Sequence, residues 1–497
     1  MTGLGPGRQA VIATLLAAAA AAPEGANAQR PPADREAIEA LRFAPLSFTP
    51  PTPSQHEIEG VTVFFLEDHS LPLVNVYARF AGGFGLLGRE LYAATTALPS
   101  LLRFGGTIEL HPDSVDEQVD QHALQLAFGS SGGSTSATLN SLSANLEPGL
   151  RLWKDMLLNP RFDSVQVEVW RGQELESALR RPDDPGRLAF SEFNRLMFGD
   201  HPIGWEMAPG DLEPEDLSRK NLLTAHGRIL CRNNLALGVS GNLEWEEVEA
   251  HLLEFLSGWP ACEEELPEPP VPDILDDPGV YLIPRELDQT TIVMAHRSSI
   301  RQEDSRDYFA SRIANSILGS GGFSSRILNR VRTELGLSYS AGSFWTTPDD
   351  NDGIVGALTR TKSESTIAAT RAILEVMDEM RSSPPARGEV EAAVEAASNG
   401  FSFNFQGAMQ VVSRRVLHDA QELPEDWLER YVAGVQRVSA TDVHNVLRRH
   451  LDPGRMVILI LGDPSRFDLP VETLGEVTTW EVEGVTDSVP PVGPPPG

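Results

Sequence analysis

Two side chains with strong hydrogen-bond donors, Arg332 and Tyr339, stand seven residues apart on either side of Gly336. Arg332 falls in the last turn of a predicted amphipathic helix, Gly336 is suited to end that helix, and Tyr339 follows in a predicted strand. This order allows both donors to converge on one oxygen atom. Such a pair would polarise a carbonyl group and stabilise the oxyanion of a tetrahedral intermediate. The structural alternative is an arginine that caps helix carbonyls and a packed tyrosine.

The histidines do not form a metal-binding pair. His251 and Glu254 begin an H-x-x-E sequence, but Phe255 stands where a second imidazole is needed. His444 and His450 are six residues apart and therefore lie on different faces of a helix. We therefore expect no metal on this chain.

The chain has only two cysteines, Cys231 and Cys262. Neither belongs to a C-x-x-C pair, so a structural metal or a redox centre is not predicted. Spacing alone does not decide between one disulfide and two buried thiols.

The composition excludes some classes of function. The chain has 497 residues and a formal net charge of −31. This acidity disfavours binding to nucleic acid or to an anionic membrane surface. The length exceeds what one hydrophobic core usually organises, so several domains are expected.

The N-terminus is typical of a secretory signal peptide over residues 1–28. A sparse positive region at Arg8 precedes an apolar run over residues 10–22, and Ala26-Asn27-Ala28 forms an A-x-A cleavage pattern. The run is too short to span a membrane, and no later stretch is long enough. We expect an exported, periplasmic or extracellular protein without a membrane span. A flexible arm over residues 29–54 is expected to follow the signal peptide.

The remaining chain predicts two domains in tandem, at residues 55–262 and 276–478. Strands are predicted at 61–66, 73–80 and 235–240, with helices at 91–104, 114–122, 146–158, 165–180, 187–198 and 244–256. The acidic, proline-rich residues 263–275 predict a linker, after which the same order of elements recurs. Residues 479–497 predict a disordered tail.

Several segments resemble the pitrilysin/insulinase metallopeptidase family. In the first half these are LEDHSLPLVNV, GRELYAATTALPSLLRFGGT, ALRRPDDP and GDHPIGW; in the second half the more specific segment is ILGSGGFSSRILNRVRTELGLSYSAGSFW. The resemblance covers roughly residues 55–475. It implies an α+β fold of two related metallopeptidase-like domains, each a mostly antiparallel sheet packed with helices.

Active members of that family carry an H-x-x-E-H motif in the first domain, where two His ligate zinc and the Glu activates water. Aligned on the FGGT sequence that ends at Thr107, these positions fall on Ala97, Ser100 and Leu101. None of the three can bind zinc or act as a strong base. Pro99 lies inside the former motif, so an intact regular helix is not expected there.

A more distant Glu completes the zinc site of active members. The corresponding stretch of this chain holds Ser177 and Ala178, with Glu174 and Glu176 nearby, and the register is left open. A lone carboxylate without the two imidazoles would give only a weak, open site.

The resemblance implies a role for Arg332 and Tyr339 as substrate-binding residues, because they match the Arg and Tyr that contact the substrate backbone in the family. In its two-subunit members one chain holds zinc and the other supplies this pair. The sequence therefore predicts a substrate-binding subunit, inactive alone, of a heteromeric zinc peptidase acting on peptides. We expect no cofactor on this chain and zinc on a homologous partner in a heterodimer. The alternative is an inactive peptide-binding or assembly module, and the substrate and partner are not identified.

Overall fold

A computed structural model describes residues 51–482, all within one compact unit. The predicted signal peptide, most of the predicted arm and most of the predicted tail lie outside these residues. Among the described residues, no helix is long and apolar enough to cross a membrane.

The first half of the chain contains a six-stranded mixed sheet. Its spatial order is β1-β2-β6-β3-β5-β4, in which β2 and β6 run parallel and every other neighbouring pair is antiparallel. Along β3 and β5 buried and half-buried residues alternate, so every second side chain enters the first core. The strands are β1 (Ser54–Ile58), β2 (Val61–Glu67), β3 (Leu73–Ala81), β4 (Gln125–Ser130), β5 (Ser134–Leu142) and β6 (Leu235–Gly241).

Seven helices are described in the first half. The predicted helices are present with small shifts at their ends, and α6 was not anticipated. A central core residue is Trp153, which is fully buried and stacks on Phe255 with ring centroids 5.3 Å apart. The helices are α1 (Tyr92–Phe104), α2 (Pro112–Gln121), α3 (Leu146–Leu158), α4 (Ser164–Arg180), α5 (Pro185–Phe198), α6 (Arg219–Ile229) and α7 (Trp245–Leu256).

The second half repeats this architecture. Its sheet has the order β12-β7-β11-β8-β10-β9, and the pair β7 and β11 is parallel in the position of β2 and β6. Only the outermost strand differs, because β12 pairs with β7 in parallel whereas β1 pairs with β2 antiparallel. The predicted α+β fold of two related domains is therefore confirmed. The strands are β7 (Gly279–Pro284), β8 (Gln289–Ser298), β9 (Ser338–Trp345), β10 (Gly353–Lys362), β11 (Val457–Gly462) and β12 (Val477–Thr479).

The helices of the second half pack against this sheet, and one of them also packs against the sheet of the first half. The helix α9 is short and continues directly into a π-helical turn over Asn329–Glu334. The helices are α8 (Arg306–Asn315), α9 (Arg326–Leu328), α10 (Thr366–Ser382), α11 (Arg387–Ser402), α12 (Ala408–Ala420), α13 (Trp427–Gln436) and α14 (Ala440–His450).

Each half contributes one helix to the sheet of the other. Helix α5 packs Phe193 and Met197 into an apolar cluster with Val293 and Leu459 of the second sheet. In return, α12 packs on β6, where the absent side chain of Gly238 leaves room for neighbouring valines. The two predicted domains are therefore continuous in sequence but interlocked in packing.

The predicted linker, residues 263–275, is packed against both halves. Leu266 contacts the first core, and Ile274 is buried in the cluster around α5. His201 is hydrogen-bonded through Nε2 to the carbonyl oxygen of Pro270 at 2.9 Å. Proline gives this segment its extended path, whereas its apolar side chains attach it to the two cores.

Cys231 and Cys262 form a disulfide that closes a loop with a sequence separation of 31. It links Cys231, two residues after the end of α6, to Cys262, which directly precedes the predicted linker. The alternative of two free thiols is therefore wrong for this structure.

Two predicted boundaries need correction. Ser54, assigned to the flexible arm, is the first residue of β1 and pairs with Phe65. Thr479 ends β12, and the Trp480 indole donates a hydrogen bond to Glu192 at 2.9 Å, so the disordered tail does not begin at residue 479. In both cases strand pairing or an aromatic contact with the body orders residues whose local composition is that of a terminus.

Buried histidines predict a loss of stability in acid. Desolvation lowers the pKa of His418 on α12 to about 4, with help from Arg414 and Arg415. Its folded pKa therefore lies below the unfolded value near 6.5, so the unfolded state binds the proton first as pH falls. The contribution of His418 to the free energy of unfolding should be fully present above about pH 6.5. It should decline by about 3 kcal/mol as the pH falls to about 4.

This expectation is checked by urea unfolding of the wild type and His418→Gln at pH 7.5 and 4.5. Between these two pH values the free energy of unfolding of the variant should fall by about 2–3 kcal/mol less than that of the wild type. His251→Gln, at a half-buried histidine on α7, serves as the control and should behave like the wild type. Equal losses in the wild type and His418→Gln would contradict the assignment.

Candidate functional site

The positions of the former zinc motif lie on α1. Ala97 and Leu101 are 0% and 1% exposed, and Ser100 is half-buried. The two outer positions therefore belong to the hydrophobic core of the first half. The side chains of Ala97, Ser100 and Leu101 therefore provide no set of ligand atoms that fits zinc.

Helix α1 runs unbroken through Pro99, contrary to the expectation from sequence. The helix continues because Leu98, Leu101 and Leu102 on either side are buried together in the core. Their burial outweighs the lost backbone hydrogen bond, which typically costs a helix about 3 kcal/mol. The positions that match the zinc motif thus lie on one continuous helix.

The region of the former third ligand lies on α4, which packs against α1. Ser177 accepts a hydrogen bond from Arg187 at 3.3 Å, and Glu176 forms an ion pair with Arg180 at 2.8 Å. These contacts are local to the helix and its neighbour. They create no second candidate zinc site.

Arg332 and Tyr339 lie against each other at the surface of the second half. The guanidinium carbon of Arg332 is 4.5 Å from the centroid of the Tyr339 ring, within the range of a cation–π contact. Tyr339 is 79% exposed. Within the described part of the chain, neither the guanidinium nor the phenol hydroxyl forms a hydrogen bond or an ion pair, so their polar atoms are available to a ligand.

Local backbone structure brings this pair together. Arg332 lies in the π-helical turn, which closes with a hydrogen bond from the Leu337 amide to the Val331 carbonyl at 2.8 Å. Gly336 has a φ of +62°, a left-handed conformation that side chains disfavour. The chain thereby reverses into β9 with Tyr339 beside Arg332. The predicted order of helix, glycine and strand is present, whereas the contact with substrate stays a prediction.

Phe323 is the third residue of this arrangement and was not anticipated from the sequence. Its ring centroid lies 4.9 Å from the guanidinium carbon of Arg332. Arg332 therefore contacts both Phe323 and Tyr339. The available sequence signal was an aromatic residue directly after the glycines of the loop.

A cluster of metal-ligating side chains lies elsewhere, at the end of β2, and was also missed. The atoms that Glu67, His69 and Glu244 offer as ligands lie within 4.8 Å of one another. His69 is hydrogen-bonded to Asn242 and Glu67 at 2.6 Å each, and these bonds raise its pKa. All three residues are exposed, and the ion pair of an imidazolium with Glu67 explains the contacts without a metal.

The fold of the described residues is that of a metallopeptidase-like protein, and comparison with known families agrees with this class. Residues 216–397 match the peptidase M16 inactive domain. This match covers less than half of the chain and confirms the resemblance to the pitrilysin/insulinase metallopeptidases.

Curated relatives are similar at low identity. A zinc protease of Mycobacterium leprae, named as uncharacterized, is 28% identical over 204 residues, which cover 41% of this chain and 45% of the relative. An uncharacterized zinc protease of Mycobacterium bovis is 24% identical over 324 residues, covering 65% and 73%. The Helicobacter pylori protein YmxG, named a non-peptidase homologue, is 24% identical over 284 residues, covering 56% and 64%. The match to the first of these relatives spans less than half of its length.

Solved structures show the same fold. The peptidase M16 inactive domain from Pseudomonas fluorescens superposes with a TM-score of 0.74 at 22% identity, covering 83% of this chain and 98% of that one. The periplasmic protease PqqL from Escherichia coli superposes with a TM-score of 0.73 at 13% identity, covering 93% and 51%. The superposed part of this chain therefore corresponds to about half of the PqqL chain.

Proposed function

We propose that this chain is the substrate-binding, non-catalytic subunit of a heteromeric zinc metallopeptidase of the cell envelope. It contributes Arg332 and Tyr339 to a site whose zinc is held by a homologous partner. The substrates are peptides or unfolded segments, bound in an extended form.

One observation carries this proposal. The guanidinium of half-buried Arg332 and the hydroxyl of exposed Tyr339 form no hydrogen bond or ion pair with a described residue, whereas the zinc positions on α1 are filled by Ala97, Ser100 and Leu101. A purely structural arginine would normally be paired with a carboxylate or a carbonyl. The chain therefore has the half of a peptidase site that polarises the carbonyl, without the half that activates water.

The chemistry assigned to this chain requires no metal of its own. The zinc of the partner would supply the activated water. The guanidinium and the phenol would donate hydrogen bonds to the substrate carbonyl oxygen, whose negative charge grows as the tetrahedral intermediate forms. Donors that are already oriented stabilise this charge without reorganisation.

The proposed location is periplasmic or extracellular. The A-x-A pattern ending at Ala28 and the Cys231–Cys262 disulfide support it, since disulfides persist in oxidising compartments. The net charge of −31 would favour basic or neutral peptides over acidic ones.

A second candidate function is an inactive peptide-binding or assembly module. The name of the Helicobacter pylori relative, a non-peptidase homologue, favours this candidate. Such a module would need the same fold but no turnover, so reconstitution with a zinc-bearing homologue separates the two functions.

The purified chain alone should contain no stoichiometric zinc and should hydrolyse no peptide, because α1 lacks ligands. Co-expression with a homologue that has an intact H-x-x-E-H motif should yield a complex with one zinc per pair and peptidase activity. Elemental analysis, size-exclusion chromatography and cleavage of a quenched fluorescent peptide check these expectations.

The exposed cluster around His69 requires a control, because it could retain adventitious metal. In His69→Ala any zinc held by this cluster should disappear, whereas zinc bound at α1 or α4 would remain. One tightly held zinc per chain in both proteins, or hydrolysis by the chain alone, would contradict the proposal. A stable complex that contains zinc but cleaves nothing would favour the assembly module.

A further inference from the structure

Phe323 is an aromatic residue with 77% of its surface exposed, in the loop between α8 and α9. Its ring adds little to the core, so the hydrophobic effect does not explain its position. The ring instead lies 4.9 Å from the guanidinium carbon of Arg332. This contact connects the loop to the proposed substrate site.

The loop is built to hold this ring in place. A Cβ atom at Gly319 would lie 2.3 Å from the backbone nitrogen of Ser343, so the loop packs directly on β9. Gly322 adopts a φ of +69° immediately before Phe323. The Ser325 hydroxyl donates a hydrogen bond to the Gly322 carbonyl at 2.7 Å and secures the turn. The conformation of the loop is thus determined by its packing on β9 and by the hydrogen bond within the turn.

The contacts with Phe323 and Tyr339 restrict how Arg332 can bind a ligand. Both ring centroids lie within cation–π distance of the guanidinium carbon, 4.9 and 4.5 Å away, so the two rings occupy part of the space around the group. Its N–H groups point outward in the plane of the guanidinium and can meet an oxygen acceptor there. A ligand that reaches this edge also passes two large exposed aromatic surfaces.

We propose that Phe323 is a positioning residue for Arg332 and the apolar wall of the adjacent subsite. The ligand class is an extended peptide with a large apolar side chain next to the carbonyl that Arg332 contacts. This inference rests on the proposed function and specifies its substrate. The exposed ring surface would bury the apolar side chain, and the contact with Arg332 would keep the donors in line with the carbonyl.

The test uses the reconstituted complex with Phe323→Ala, Phe323→Tyr and Phe323→Leu. Loss of a cation–π contact should lower the kcat of Phe323→Ala about three- to thirtyfold. Phe323→Tyr should restore kcat, because it keeps an aromatic face. Phe323→Leu should restore KM for apolar peptides but not kcat. Phe403→Ala, at an aromatic residue that is 66% exposed on the segment after α11, is the matched control and should retain wild-type kinetics.

Substrate preference provides a second readout. Two peptides that differ only by Leu or Ser beside the cleaved bond should be distinguished by the wild type in kcat/KM, about tenfold or more in favour of Leu. Phe323→Ala should lose most of this preference. An NMR signal of the Arg332 side chain, shifted by the ring currents, should move in Phe323→Ala and return in Phe323→Tyr.

The outcomes separate this inference from the proposed function. If Arg332→Ala lowers turnover but Phe323→Ala changes neither kcat nor preference, the inference is wrong and the proposed function stands. Failure of Phe323→Tyr to rescue kcat would likewise exclude positioning by an aromatic face. If Arg332→Ala has no effect either, both proposals are refuted.

Discussion

Replacement of Arg332 by Ala should lower turnover by the reconstituted complex about 10²- to 10³-fold, since this is the usual cost of one lost oxyanion donor. Tyr339→Phe removes only the hydroxyl and should lower kcat in the same direction, while the ring that contacts Arg332 remains. Tyr339 is exposed and Arg332 is half-buried, and neither is hydrogen-bonded to a described residue. Folding and assembly should therefore scarcely change.

Arg330 provides a matched control for Arg332 on the same π-helical turn. It forms a surface ion pair with Glu334 at 2.9 Å, and exposed pairs of this kind contribute little to stability. Arg330→Ala should consequently leave turnover near the wild-type level. Peptide cleavage and size-exclusion chromatography of the complex are measured in parallel. Unchanged turnover in Arg332→Ala and Tyr339→Phe, with the complex intact, would mean that the pair is structural and that the assembly module is the better description.

Removal of the Cys231–Cys262 disulfide is the change with the second-largest expected effect. The bond joins residues separated by 31 positions, and the loss of this cross-link should lower the free energy of unfolding by about 3–4 kcal/mol. This corresponds to a change of several hundredfold in the folding equilibrium. The cross-link restricts residues 231–262 of the unfolded chain, which form β6 and α7 in the folded protein.

The measurement is urea unfolding of the wild type and the double variant Cys231→Ala, Cys262→Ser, each with and without reductant. Reductant should destabilise the wild type towards the level of the variant and should leave the variant unchanged. The serine replaces a partly exposed residue and the alanine a buried one, so that no polar group is buried. Equal stability of all four samples would show that the disulfide contributes nothing.

Much of the fold was predictable because local signals and periodicity agree along the chain. Helix α3 begins and ends as predicted at residues 146 and 158, and its apolar spacing fits its buried face. Helix α6 was missed although its buried residues Leu222, Ala225, His226 and Ile229 have helical spacing, because only two of them are strongly apolar. The unbroken course of α1 through Pro99 was unpredictable for a different reason, since packing in the core overrides the preference of one residue.

The candidate site was predictable in part. Arg332 and Tyr339 could be named because they match the Arg and Tyr of the family that the sequence resembles, and the helix end, glycine and strand start around them fit that match. Phe323 lies sixteen residues before Tyr339, and its contact with Arg332 depends on how the glycine loop packs on β9. Glu67, His69 and Glu244 come together only because β6 pairs beside β2 and brings the start of α7 to the hairpin.

Residue types alone show that Ala97, Ser100 and Leu101 cannot ligate zinc in any conformation, and the duplicated order of elements follows from patterns within each half. The folded structure was needed to show that the cysteines are joined, that α5 and α12 are exchanged between the sheets, and that Arg332 contacts two aromatic rings. The reason is physical: residue type limits the bonds that a side chain can form, whereas proximity between distant segments depends on how whole elements bury their apolar faces against one another.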